Sequence, residues 1–193
     1  MINLLALILA TTAAASPFRV RLDTTRGPIV IEVVPAWAPR AAARFRELVS
    51  SGYYDDTRFF RVVKGRWAQF GISGDPALAK KRRAETFPDE AAGPRRSNLR
   101  GTVAFAFAVA DGRSTQVFVN LADNRKLDAQ GFAPFGRVVQ GMENVDALYG
   151  GYGEASGGGI RAGRQQPLFE GGNAWLDARF PRLDRILRAR VLP

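Results

Sequence analysis

Two side chains in the run Phe59-Phe60-Arg61-Val62-Val63-Lys64-Gly65-Arg66-Trp67-Ala68-Gln69-Phe70-Gly71 have the types and spacing for chemistry. Arg61 and Gln69 lie in a segment whose valines and aromatics favour a pleated, half-buried strand. A guanidinium in such a strand must reach water or find acceptors for its donors. Arg61 therefore either sits on the wet face of a sheet or awaits a ligand, and this run alone does not choose between the two. A second run, Ser114-Thr115-Gln116-Val117-Phe118-Val119-Asn120-Leu121, again has polar residues at its start and an aromatic inside. It leads through Asp123-Asn124-Arg125-Lys126-Leu127-Asp128 to Gly131-Phe132-Ala133-Pro134-Phe135-Gly136.

The 193 residues include neither cysteine nor histidine. That removes disulfides, thiol nucleophiles and thiolate metal sites, and with them Ser-His and Cys-His catalysis and the common zinc sites. Most hydrolase and metalloenzyme readings fall away with them.

Four blocks then fall in order: FFRVVKGRWAQFG, GTVAFA, STQVFVNLADN and LDAQGFAPFGRVVQGMENVDAL. In order and approximate spacing they resemble the cyclophilin-type peptidyl-prolyl cis-trans isomerases, over residues 18–148. The resemblance implies a mainly β fold, a closed antiparallel cyclophilin-like barrel capped by two helices. It also implies an activity compatible with the missing residues. Rotation about a peptide bond before proline must overcome an amide resonance barrier of ~18–20 kcal/mol. An enzyme can lower it by aiming a donor at the pyramidal nitrogen of the twisted amide and seating the ring in an apolar pocket. No metal or cofactor is needed.

By the resemblance, Arg61 is the catalytic donor, its permanently charged fork reaching the prolyl nitrogen. Gln69 binds the neighbouring carbonyl; it lies eight residues on and shares a face with Arg61 if the strand runs straight. Phe118 floors the proline pocket with Leu127 beside it, and Ala106, Phe107 and Gln116 line the groove for the residues before proline. The chain departs from the family where Arg66 and Trp67 replace a phenylalanine and a methionine, Lys126 an aromatic, Phe132 a histidine and Phe107 an asparagine or arginine. Arg66 and Lys126 are expected to ring the pocket with positive charge and favour acidic or small residues near the proline, or else to cover apolar surface with their stems. The implied function is isomerisation of proline-containing segments of exported proteins; the alternative is a non-catalytic peptide-binding or chaperone module on the same fold.

The elements that would hold these residues can be read in outline. Phe18 to Asp23 and Ile29 to Val34 alternate around Arg26-Gly27-Pro28, predicting an opening hairpin. Arg40 to Ser50 predicts a helix with Phe45, Leu48 and Val49 on one face, ended by Gly52. Residues 72–100 read as a long loop. Strands follow at Gly101–Phe107, Gln116–Leu121 and Phe135–Val139, and a second helix from Glu143 to Leu148. The glycine-rich stretch 150–159 reads as a flexible connector; it lacks the lysine of a phosphate loop. Glu170 to Arg179 suggests a short helix, and the alternation of Ile186 to Val191 a last strand against the first hairpin. Short strands without βαβ alternation suit a barrel with helices at its ends.

The length suits one domain, residues 16–193, with residues 149–193 an extension and closing strand. Lys and Arg number 28 against 18 Asp and Glu, a net charge of +10, and only four of the 28 are lysine. The charge is scattered apart from Lys80-Lys81-Arg82-Arg83 and Arg95-Arg96, which reads as solvated surface rather than a nucleic-acid site. Residues 1–15 form a short apolar run ending in Ala13 and Ala15, expected to be a cleaved export signal. It falls short of the ~20 residues of a membrane span. Export to the periplasm or cell exterior of a monomeric, thiol-free protein follows as the expectation.

Overall fold

The core face is set where apolar and polar residues alternate. In β1 (Phe18–Thr24) Val20 and Leu22 are buried, and in β2 (Gly27–Val33) Ile29, Ile31 and Val33. Their antiparallel register pairs Val20 with Ile31 and Leu22 with Ile29, so one face of the hairpin is apolar. The computed structural model describes residues 15–90, 96–158 and 164–193. The expected export signal lies outside these apart from Ala15.

Six further strands complete one sheet: β3 (Arg61–Val63), β4 (Trp67–Phe70), β5 (Thr102–Phe105), β6 (Val117–Asn120), β7 (Pro134–Gln140) and β8 (Ile186–Val191). Their order is β3-β4-β6-β5-β7-β2-β1-β8, and every pairing is antiparallel. β8 lies against β1, as its alternation suggests. The closed barrel is an overstatement. The sheet curls into a half-barrel whose edge strands, β3 and β8, share no ladder. They approach through a single bridge, Arg58 with Arg185, and through Phe59 N–H to the Asp184 carbonyl and Ile186 N–H to the Thr57 carbonyl, both 2.9 Å.

α1 (Pro39–Ser50) starts on a proline and lays Phe45, Leu48 and Val49 on the sheet. Phe45 meets Phe135 at 4.9 Å between centroids and Tyr54 at 5.5 Å, and Tyr54 meets Phe70 at 5.3 Å. Fully buried rings thus link the helix to both halves of the sheet. α3 (Met142–Asp146) falls where the second helix was expected.

The regions read as loop and connector are built structure. Residues 76–84 form α2 (Pro76–Ala84), opened by Asp75, whose carboxylate accepts from Ala77 N–H at 2.8 Å. Lys81, Arg82 and Arg83 of the basic cluster fall in its last turn, where cations complement the exposed carbonyls of a helix end. α4 (Gln166–Arg179) starts earlier than Glu170 and kinks at Gly172. There φ is +54°, and a Cβ would run into the Gly74 carbonyl. α2 and α4 pack around a second apolar cluster of Phe60, Ile72, Ala79, Leu168, Phe169 and Leu176. Residues 150–158 lie along the strand that carries Arg61: Gly153 bridges Val62, and Ser156 Oγ donates to the Phe60 carbonyl at 2.7 Å. Among the described residues no helix is long and apolar enough to cross a membrane.

Candidate active site

Arg61 and Gln69 do not lie on one straight strand. The chain turns at Lys64-Gly65-Arg66, and the two residues are direct cross-strand partners of the β3–β4 hairpin. Their shared face therefore comes from pairing rather than from an even spacing along one strand. Arg61 Nη1 donates to Gln69 Oε1 at 3.0 Å. Its Nε and Nη2 donate to the two oxygens of Glu154, each at 2.8 Å. The guanidinium carbon also stands 4.9 Å from the Trp67 ring centre.

Gln69 is the first of three glutamine side chains in a row. Its Nε2 donates to Gln116 Oε1 at 2.8 Å, Gln116 Nε2 to Gln165 Oε1 at 3.0 Å, and Gln165 Nε2 to the Gly157 carbonyl at 3.0 Å. All three are buried. Such a chain holds each amide in one orientation, because an unpaired buried amide is costly.

These groups edge a cavity of about 470 Å³. Arg61, Gln69, Trp67, Phe118, Ala106, Phe107, Gln116, Leu127 and Phe132, all singled out in the sequence, line it. Arg66 and Lys126 do not. Arg66 stands in the hairpin turn, exposed, with its guanidinium 4.7 Å from the Trp67 ring. Lys126 is exposed on a short 3-10 turn, Arg125–Leu127. The wall assigned to Arg66 is supplied by Trp67. Among the described residues Arg83 of α2 also lines the cavity, stacked at 4.2 Å on Phe169.

Phe107 and Phe132 belong together. Their rings lie 4.5 Å apart, and Phe132 meets Phe118 edge-on at 5.6 Å. With Phe118 they make this wall of the cavity continuously aromatic. Behind it, buried Arg113 stacks on Phe107 at 3.8 Å, donates to the Gly131 carbonyl at 2.7 Å and pairs with Asp89. Burial lowers the Arg113 pKa from its usual value.

The loop carrying Leu127 and Phe132 is tied down by Asp128. Its carboxylate accepts from Ser97 Oγ at 2.5 Å and from the backbone and side-chain N–H groups of Asn98, each at 2.8 Å. Asn98 Nδ2 also reaches the Phe132 carbonyl at 2.9 Å. Burial would raise the Asp128 pKa, but the bonds from Ser97 and Asn98 outweigh it and hold the carboxyl below its ordinary value.

Sequence reasoning missed Glu154, Gln165, Arg83 and Arg113. Glu154 stands in glycine-rich chain that carries no strand or helix pattern, so no local signal marks it. Gln165 precedes a helix whose start was read too late, and Arg83 belongs to a charge run that reads as surface.

An arginine, a chain of amides and an aromatic recess thus come together on one part of a half-barrel sheet. Comparison with known proteins agrees. Residues 19–159 match the model of the cyclophilin type peptidyl-prolyl cis-trans isomerase/CLD family. The chain is 37% identical over 142 residues to peptidyl-prolyl cis-trans isomerase A of Dickeya dadantii, covering 70% of this chain and 73% of that one. It is 33% identical over 139 residues to peptidyl-prolyl cis-trans isomerase B of Escherichia coli, covering 68% and 84%. A crystal structure of a cyclophilin type isomerase from Cryptosporidium parvum superposes with a TM-score of 0.66 at 21% identity, covering 92% of this chain and 98% of that one. The chain belongs to the cyclophilin-type peptidyl-prolyl cis-trans isomerase family, and by that membership it is a prolyl isomerase.

Proposed function

We propose that this protein acts as a monomer that interconverts the cis and trans forms of Xaa-Pro bonds in exported proteins, with Arg61 as the donor to the prolyl nitrogen. The observation that carries the reading is the pairing of Arg61 with Gln69 at the mouth of the aromatic cavity. A guanidinium has five N–H groups. Glu154 takes two and Gln69 one, so two remain for substrate. As the C–N bond twists, the nitrogen becomes pyramidal and basic, and a fixed N–H aimed at it is worth more in that state than in the planar amide. Phe118, Leu127 and Phe132 seat the pyrrolidine ring, and Gln69 with Gln116 orients the adjacent carbonyl. The amide rotates without transfer of any atom.

The test is cis-trans exchange of a short Xaa-Pro peptide followed by NMR, with wild-type protein and Arg61→Ala. Acceleration that falls by about 10²–10³-fold in the variant, the usual cost of deleting one transition-state donor, supports the reading. Folded wild-type protein that binds the peptide without accelerating exchange would replace it with the peptide-binding module.

A further inference from the structure

We infer that Glu154 is a positioning residue for Arg61, which makes residues 150–158, with Gln165, a working part of the active site; the inference rests on the isomerase reading above. Free arginine samples many rotamers, and the donor must point into the cavity when the amide twists. Here the guanidinium is fixed on three sides, by the two oxygens of Glu154, by Gln69 and by the Trp67 face. The paired Nε and Nη2 contacts define the plane of the group as well as its position.

Glu154 is itself placed from both flanks. The bridge between Gly153 and Val62 sets it alongside Arg61, and Ser156 anchors the next turn to Phe60. Gly158 N–H returns to the Glu154 carbonyl at 2.8 Å. A Cβ at Gly158 would overlap Glu154 Oε2, so the seat of the carboxylate depends on that position having no side chain. The same segment reaches the other half of the site. Gln165 is only 2% exposed and accepts from Gln116 while donating to the Gly157 carbonyl. Arg61 and Gln69 are thus both held, at one and two removes, by one stretch of chain.

A carboxylate on the donor has two opposed effects. It withdraws positive charge from the site, which weakens stabilisation of the basic nitrogen. It also removes the rotational freedom that Arg61 would otherwise lose in the transition state. The side chain of Glu154 is 41% exposed and that of Arg61 21%, so solvent screens much of the charge effect, whereas the orientation is fixed whatever the dielectric. Orientation prevails, and Glu154 raises the rate.

The experiment measures kcat and KM for the same peptide exchange with Glu154→Ala and the isosteric Glu154→Gln, alone and in the Arg61→Ala background, together with the ¹H–¹⁵N signal of Arg61 Nε. For Glu154→Ala the expectation is a fall of about tenfold in kcat with KM within about twofold, and Glu154→Gln lies between it and wild type. In the Arg61→Ala background the change adds nothing, and the Arg61 Nε–H signal, protected from water in the wild type, exchanges fast in Glu154→Ala. Glu154→Gln carries the test if the alanine variant does not fold. Wild-type or higher kcat in both variants, or an equal further loss without Arg61, overturns the positioning role alone. A wild-type protein that gives no acceleration overturns the isomerase reading and the positioning role together.

Discussion

Asp128 shows how a residue far from any bond-making step shapes the pocket. Three N–H and O–H groups from Ser97 and Asn98 converge on its carboxylate, and through them the turn bearing Leu127 and Phe132 is held against the sheet. Its pKa is lower folded than unfolded, so the unfolded chain binds the proton more readily. The stabilisation is complete at pH values above the ordinary aspartate range of about 3.9 and is lost as pH falls through the lower folded value. Asp23 acts in the same direction: burial opposes, but Arg21 and Arg190 hold it down. Urea unfolding at about pH 7 and about pH 3 should show Asp128→Asn less stable at the higher pH by about 1–3 kcal/mol, with a smaller acid loss than wild type. An unchanged acid loss would remove Asp128 as its source. Arg66 and Lys126 teach the opposite lesson: each was expected at the pocket, yet both are exposed and outside it. Among the described residues neither forms the expected basic ring, and Arg83 brings one positive charge from a different element.

At the level of elements, the second apolar cluster is what makes the extension part of the protein rather than an appendage. Leu168 of α4 is fully buried there, against Phe60, Ile72 and Ala79. Phe60 immediately precedes Arg61, and Leu168 follows Gln165 by three residues, so this packing registers the extension on the site. Leu168→Ala should cost about 2–5 kcal/mol, seen as a lower urea midpoint. It should also lower kcat for peptide exchange at temperatures where the variant is still folded, because Glu154 and Gln165 lose their footing. Full kcat in a destabilised but folded Leu168→Ala would show that the cluster serves stability only.

For the whole molecule, the open question is where it works. The proposal that it serves exported clients rests on residues 1–15, apolar and ending in small residues, and on a composition without thiols, which suits an oxidising compartment. Expressed with its full N-terminus in a bacterial host, the protein recovered from outside the cytoplasm should begin at Ser16 by mass spectrometry. Recovery of chains still carrying Met1, all in the cytoplasmic fraction, would remove both the signal and the assignment of clients.

Much of this was legible in the chain. The opening hairpin, α1 and the closing strand follow from alternation and helix periodicity, which act between near neighbours; Arg61, Gln69, Phe118 and Gln116 were marked as site candidates by the family resemblance of the ordered motifs. α2 was hidden because a capped helix with one buried alanine and a run of cations has almost no apolar period to read. The pairing of Arg61 with Gln69 needed the hairpin turn, which changes which residues face each other without changing their order. The partners that hold the donor needed the tertiary fold itself. Glu154 lies 93 residues from Arg61, and Gln165 lies 49 from Gln116. No local rule selects one carboxylate among 18 acidic residues; the bridge of Gly153 to Val62 and the bond from Ser156 to Phe60 do. The sequence by itself determined which groups could act on a prolyl bond, because side-chain chemistry is local. Only the tertiary structure decided how the arginine is oriented, because orientation is set by contacts between segments far apart in the chain.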